Sequence, residues 1–290
     1  MKYLILGGNG YVASAYTRAL AGTGIPFRCV SRREVDYADP GVLADYLRQQ
    51  RPAFLINAAG YTGKPNVDAC EKFKSDCLFG NAVLPGIIRQ ACEETGTTWG
   101  HVSSGCIYSG TRPDGSGFTE EDAPNFCFRT NHCSFYSGSK ALGEEVLAGA
   151  ERCYVWRLRI PFDRFDSPRN YLSKLMTYDR ILDATNSITC LPDFIRTTLD
   201  CLERGVPFGV YNVTNPGFVT AREVIDMILR EGLVQKEFKF FTDEKDFMQK
   251  AAITPRSNCI LDSGKWIRAG LTMPAEKEAI RWALKNWTRA

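Results

Sequence analysis

Short apolar runs alternate with longer stretches of helical periodicity along the first two thirds of this chain. "YLIL" (3–6), "FRCV" (27–30), "FLIN" (54–57), "WGHVS" (99–103) and "CYVWRLR" (153–159) are apolar or β-favouring runs of strand length. Between them, "GVLADYLRQQ" and "NAVLPGIIRQACEET" repeat apolar residues at helical spacing. Strands separated by crossover helices predict an α/β fold with a doubly wound parallel sheet. After Arg159 the texture changes to "IPFDRFDSPRN", and "GVYNVTNPG" (209–217) reads as one more sheet strand. "TARE" (220–223) is a capping box that opens a helix, and "EKEAIRWALKNW" supplies the last one. The expectation is a nucleotide-binding domain over 1–160, with 209–215 returning to its sheet. A smaller, partly discontinuous substrate lobe over 161–290 then packs across the sheet's C-terminal edge.

Composition narrows the partners. With 290 residues, 24% of them charged, and a formal net charge of +3 without long runs of one sign, the chain carries no nucleic-acid footprint. A small ligand fits better. The apolar run before the first glycines is only four residues long, and no stretch of about eighteen apolar residues occurs, so neither a membrane span nor secretion is expected and the location is read as cytoplasmic. Eleven cysteines without a CxxC pair, and two histidines without ligand spacing, read as reduced thiols and no metal.

The first strand runs into "GGNGYVA", which fits Gly7-x-x-Gly10-x-x-Ala13 or Gly8-x-Gly10-x-x-Ala13. Glycines there allow a tight turn and close approach to a pyrophosphate at the N-terminus of the next helix. The second strand ends in "SRRE" rather than in the acidic residue suited to the ribose of NAD. Ser31, Arg32 and Arg33 suit a 2′-phosphate, so NADP(H) is favoured, although Glu34 is also placed to serve a ribose. "NAAG" ends the third strand, and its small residues Ala58, Ala59 and Gly60 leave room for adenine and ribose.

"FYSGSK" places Tyr136 four residues before Lys140, on one helix face. A nearby ammonium is expected to lower the tyrosine pKa, which suits proton transfer, and Ser104 at the end of "VSSG" can share the same substrate oxygen. Together these motifs resemble the extended short-chain dehydrogenase/reductase superfamily, with its Rossmann-type fold. More narrowly, "AAGYTGKPNVDACE", "SSGCIY", "GFTEEDAPNF", "SFYSGSKALGEE", "SPRNYLSK", "YNVTNPG" and "PRSNCILD" resemble the plant nucleotide-rhamnose synthase/epimerase-reductases.

That resemblance implies a UDP- or dTDP-4-keto-6-deoxy-glucose substrate, epimerised at C3 and C5 and reduced at C4, and a homodimer pairing through the YxxxK helix and the helix before it. Val83, Ile87 and Ala91 offer a candidate stripe on the latter. Cys106 and Lys174 fall where the related family has its epimerase acid and base. Dehydratases of this fold resemble one another in an acidic pair where Gly105 and Cys106 stand here, which disfavours dehydration. The dTDP-4-dehydrorhamnose reductases and GDP-fucose synthase are more distant likenesses, and a regulatory subunit of the same fold is the non-enzymatic alternative. The cofactor-facing set is Gly7, Gly8, Asn9, Gly10, Tyr11, Val12, Ser31, Arg32, Arg33, Ala58, Ala59, Gly60, Tyr136, Lys140 and Pro161. Candidate substrate contacts are Thr62, Lys64, Asn81, Arg169, Asn170 and Arg256.

Overall fold

Alternation within the first strand, β1 (Tyr3–Leu6), divides the core into two layers. Tyr3 and Ile5 pack on one face with α1 (Tyr11–Leu20) and a later helix, Leu191–Glu203; Leu4 and Leu6 pack on the other with α2 (Pro40–Gln50) and α3 (Leu84–Thr95). The computed structural model describes residues 1–130 and 132–289. Five more strands extend the sheet: β2 (Phe27–Val30), β3 (Phe54–Asn57), β4 (Trp99–Ser104), β5 (Cys153–Leu158) and β6 (Gly209–Asn212). Their order is β6-β5-β4-β3-β1-β2 and every pair is parallel. Chain order reverses between β1 and β3, the crevice where doubly wound sheets bind ligands. The first three strands keep the boundaries expected from their apolar runs, and β4 runs one residue further, to Ser104.

The helix expected over 81–95 is present, continuing from Lys74–Leu78, but its start is not α-helical. A π turn occupies Phe79–Val83, and α3 starts at Leu84 with Pro85 in its first turn. Pro85 has no N–H to donate to the Asn81 carbonyl, so the regular i to i−4 ladder is interrupted there. The supposed dimer stripe also divides: Ala91 is buried in the core while Val83 is 44% exposed. Ala91 covers this chain's own sheet.

The helix carrying Tyr136 and Lys140, α4 (Phe135–Val146), starts on Ser134, whose Oγ accepts from Ser137 N at 3.1 Å, and Glu71 Oε1 accepts from Phe135 N at 2.7 Å. It lies directly on the π turn, and Gly143 permits that contact: a Cβ at this position would stand 2.0 Å from the Asn81 carbonyl oxygen. Beneath α4, Arg157 of β5 forks onto Glu144 (Nη2 to Oε2 2.7 Å, Nε to Oε2 3.0 Å) and donates to the Tyr108 hydroxyl at 3.1 Å. Arg157 is buried and Glu144 largely so, and the geometry of this ion pair fixes the helix on the sheet more than it adds stability.

A second core unites α5 (Tyr171–Thr177), α7 (Ala221–Arg230) and α8 (Glu276–Lys285), with α6 being Leu191–Glu203 on the sheet. Val224, Ile225 and Ile228 of α7 are buried, each worth about 2 kcal/mol over exposure. Thr220 and Glu223 form the expected capping box. No helix among the described residues is long and apolar enough to cross a membrane.

Replacing Gly143 by alanine forces α4 away from the π turn, and overpacking of this kind costs about 2 kcal/mol. Denaturant unfolding of Gly143→Ala should give a lower midpoint with an unchanged slope; an unaltered midpoint would show that the two backbones have room to part.

Candidate active site

The turn after β1 is built for close backbone approach. Gly7 has φ 96°, and a Cβ there would lie within 2.9 Å of the Ala58 and Ala59 backbone at the end of β3. Gly8 borders the β2 end in the same way, and Gly10 donates to the Gly7 carbonyl at 2.7 Å before becoming the N-cap of α1. Asn9 is exposed, Val12 packs on the core, and the Tyr11 hydroxyl is buried without a hydrogen-bond partner.

Beside this turn opens a cleft of about 420 Å³ lined by Arg32, Tyr37, Ala59, Gly60, Tyr61, Asp76, Phe79, Gly80 and Leu84. Of the three residues expected on a 2′-phosphate, Arg32 lines the cleft, its guanidinium 5.9 Å from the Phe79 ring centre. Ser31 is turned elsewhere: its N–H and Oγ both donate to Glu34 Oε2 at 2.8 Å, which holds the Glu34 carboxyl below the usual carboxylate range. Glu34 therefore shapes the turn, and Arg33 is exposed. Ala58 packs toward the core behind the cleft. Tyr37, Asp76 and Phe79 belong to no motif, and sequence reading missed them.

At the β4 mouth, Ser104, Cys106, Tyr136 and Lys140 come together. Ser104 Oγ accepts from Cys106 N at 3.3 Å, which bends the chain into a short turn (Gly105–Ile107) and places the Cys106 thiol among Ser104, Ser137 and Lys140. Between Tyr136 and Lys140 the small residues let α4 sit deep: Ser139 Oγ donates to the Tyr136 carbonyl at 2.8 Å and accepts from Asn81 Nδ2 at 3.0 Å. Lys140 is buried beneath Gly60, where a Cβ would stand 3.4 Å from its Nζ.

Burial dominates the electrostatics here. It pushes the Lys140 ammonium below the usual lysine range, and it pushes the Cys106 thiol up, against the pull of the Ser104 hydroxyl, Arg159 and Lys140. It also drives the Tyr136 phenol well above its ordinary value, with Cys106 adding to the rise and the Ser104 hydroxyl opposing it. The expected depression by Lys140 is thus overridden. Tyr136 is a neutral phenol with a proton to give.

Segments beyond β5 bring a group of cations to the loop after β3. Lys174 lies on α5, its ammonium lowered by burial and by the guanidinium groups of Arg169 and Arg256. Arg169 reaches across to the loop after β3, donating to Thr62 Oγ1 at 2.8 Å and to the Gly63 carbonyl at 2.7 Å. Arg256 pairs with Asp68 of the same loop through both Nη atoms (2.6 and 2.8 Å). Lys64 is exposed nearby, and Pro161 pairs beside Thr189. Two of the expected substrate contacts serve the scaffold instead. Asn81, fully buried, holds Tyr61 by its N–H (2.9 Å) and carbonyl (2.8 Å); Asn170, equally buried, caps α5 and binds the Asp163 and Phe165 carbonyls. Both amides are consumed, because each holds a loop whose backbone has no sheet or helix partner.

Residues 1–288 match the RmlD substrate binding domain. The chain belongs to this family. Among relatives in Arabidopsis thaliana, a bifunctional dTDP-4-dehydrorhamnose 3,5-epimerase/dTDP-4-dehydrorhamnose reductase is 34% identical over 269 residues, covering 91% of this chain and 86% of its own. A trifunctional UDP-glucose 4,6-dehydratase/UDP-4-keto-6-deoxy-D-glucose 3,5-epimerase/UDP-4-keto-L-rhamnose-reductase is 32% identical over 270 residues, 91% of this chain. The chain spans 39% of that relative's length. The L780 UDP-rhamnose synthase of Acanthamoeba polyphaga mimivirus has the same fold, with TM-score 0.90 and 23% identity over 99% of both chains. So does a dTDP-4-dehydrorhamnose reductase of Bacillus anthracis str. Ames solved with NADP, at TM-score 0.83 and 19% identity, covering 98% of this chain and 99% of that one.

A phenol held this far up stays protonated at pH values where ordinary tyrosines ionise, because only the neutral form tolerates the burial. Ultraviolet titration of the wild type minus Tyr136→Phe should therefore show no tyrosinate signal from Tyr136 up to its ordinary value of 10.0. A difference signal with a midpoint near neutrality would overturn this electrostatic account.

Proposed function

We propose that this chain is an NADPH-dependent 3,5-epimerase and 4-keto-reductase acting on a UDP- or dTDP-linked 4-keto-6-deoxy-glucose, yielding the NDP-β-L-rhamnose. The observation that carries the reading is the meeting of a neutral tyrosine, a buried lysine, a serine and a thiol at one strand mouth; the reading adds Lys174 of α5 as the second proton carrier. The bifunctional relative, alike over most of its own length, supports joining the two activities in one chain of this size.

The cofactor fits the residues present. The turn at Gly7 and Gly10 is a cradle that a Cβ would fill, the cleft beside it accepts an adenosine, and Arg32 offers a charge-assisted contact to a 2′-phosphate. Bound NADPH supplies the hydride. Tyr136 gives its proton to the C4 oxygen, Ser104 donates a hydrogen bond to the same atom, and Lys140 provides positive charge as the phenol loses its proton.

Before reduction, the 4-ketone acidifies the protons at C3 and C5. Cys106 and Lys174 exchange them from opposite ring faces, and burial brings the lysine nearer to neutrality than an exposed one. Arg169, Lys174 and Arg256, with Thr62 and Lys64 alongside, form a cationic rim suited to a nucleotide diphosphate. A cytoplasmic homodimer remains part of the reading. Val83 of the π turn and Val146 of α4, both exposed, are its apolar face.

Epimerisation on this account needs no cofactor. Wild-type protein given UDP-4-keto-6-deoxyglucose in deuterated water without NADPH should introduce deuterium at C3 and C5, and Cys106→Ser or Lys174→Met should each cut that exchange. Tyr136→Phe should lower net reduction by about 10²-fold or more, at least about 2.7 kcal/mol, while NADPH still binds. A wild type that reduces the pre-epimerised sugar but exchanges nothing is a plain 4-reductase; one inactive in both assays, with NADPH bound, is a binding subunit.

Cofactor choice turns on one cation. Arg32→Ala should weaken NADPH binding at least tenfold more than NADH binding, and Arg33→Ala much less, since only Arg32 lines the cleft. Fluorescence titrations with equal losses for both cofactors would remove Arg32 from the 2′-phosphate.

A further inference from the structure

One ion in the site has no counterpart. Arg159 follows β5 directly, beyond the register pair Ser104 and Leu158, so its backbone lies beside the turn that carries Cys106. The residue is 7% exposed. Its Nη2 donates to Asn186 Oδ1 at 2.7 Å and to the Ser257 carbonyl, while its Nε is buried without a hydrogen-bond partner. Asn186 Oδ1 also accepts from Cys259 N at 3.1 Å, and Cys259 Sγ donates to the Gly105 carbonyl at 3.3 Å. A short chain of contacts therefore ties the guanidinium to the Cys106 turn. Among the described residues no carboxylate pairs with Arg159, in contrast to Arg157 two positions earlier, which forks onto Glu144. Burying a unit charge without a counter-ion costs several kcal/mol, so such a group is kept where an anion forms during function.

We propose that Arg159 is a positioning residue for the Cys106 thiolate, its uncompensated guanidinium stabilising the anion that removes a ring proton α to the ketone. The proposal rests on the epimerase reading. In that step the thiolate takes the proton, forming S–H as C–H breaks, and the bonding pair moves into the enolate on the C4 oxygen. Lys174 then returns a proton to carbon from the other face. Arginine suits this task because its charge does not vary over the working pH. The charged and titratable groups about Cys106 are Tyr136 and Lys140 from α4, Arg159 from the end of β5, Cys70 from the helix Ala69–Lys72, and Cys259 and Cys127 in the same apolar cluster. Lys140 lies beneath Gly60; Arg159, held by Asn186 and Ser257, is the larger of the two charge effects on the thiol.

Two variants change the charge in different ways. Arg159→Gln removes it and keeps an amide donor on a side chain two atoms shorter. Asn186→Asp is isosteric and hands the guanidinium the carboxylate it lacks, with loss of the Nδ2 bond to Asn258 Oδ1 (3.1 Å). Both should move the ascending pH limb of cofactor-free deuterium exchange into UDP-4-keto-6-deoxyglucose upward by about one unit, a roughly tenfold loss of rate below the limb. Arg159→Lys should stay near the wild type. The pH dependence of Cys106 alkylation by iodoacetamide, read on its peptide by mass spectrometry, should shift in parallel, and NADPH binding reports folding. Limbs left in place by both variants would overturn the proposal, as would Arg159→Gln behaving like wild type while Arg159→Lys does not. If Arg159→Gln fails to bind NADPH, Asn186→Asp decides alone. Absence of exchange in the wild type at every pH sinks the epimerase reading instead, and the alkylation limb still decides the role of Arg159.

Discussion

The contact on which the site depends is the backbone approach of α4 to the π turn. Pro85 interrupts the helical ladder at Asn81, and Gly143 leaves the space into which the Asn81 carbonyl projects. The Asn81 side chain, freed from any contact with solvent, binds both backbone groups of Tyr61 and the hydroxyl of Ser139. Three segments that share no regular secondary structure are thereby held to one another: the run after β3, the π turn and α4. Lys140 under Gly60, and Tyr136 beside Ser104, follow from that registration. The residues between them are small because anything larger would lift the helix.

Strand positions were legible because each buried strand is a short apolar run bounded by polar or glycine residues, and parallel strands covered on both faces read that way. The glycine turn and the YxxxK pair were legible because each depends on local geometry: a positive φ, or one helical turn. What depends on the partner across space was not. Nothing local separates Asn81, whose amide serves the scaffold, from an amide that faces a ligand. Ser31 beside two arginines reads as a phosphate ligand, yet Glu34 three residues on takes its hydroxyl. Arg159 lay inside "CYVWRLR", where two charges in an apolar strand were themselves a signal. A buried charge needs either a partner in the protein or one that arrives, and Arg157 has the first.

The small net charge of the chain conceals a polarised surface. Arg169, Lys174 and Arg256 gather beside the loop after β3, with Asp68 paired to Arg256, and Arg32 lines the cleft beside the glycine turn together with Asp76. Charge of one sign along a concave surface concentrates an anion of opposite sign. A nucleotide sugar and a dinucleotide phosphate both carry such charge. Arg169 and Arg256 also strap the second lobe to the loop after β3, so whatever binds these guanidinium groups acts on the seam between the lobes.

Steric fit at the β4 mouth separates this site from one that eliminates water. The dehydratases that resemble this fold carry an acidic pair directly after the strand-end serine, and position 105 has no space for one: a Cβ on Gly105 would stand 2.4 Å from Leu261 Cδ1. Leu261 is itself buried in the cluster with Tyr108, Phe118 and Cys259, so it cannot swing aside without opening a cavity. The chain that supplies Leu261 also brings Cys259 against Gly105, and Ser257 against Arg159 and the Tyr108 carbonyl. One segment from the far end of the sequence thus excludes the dehydratase acid and supports the thiol in its place. On the proposed reading, the 4-keto group that acidifies C3 and C5 must then already be present in the substrate when it arrives, made by an oxidation and elimination carried out elsewhere.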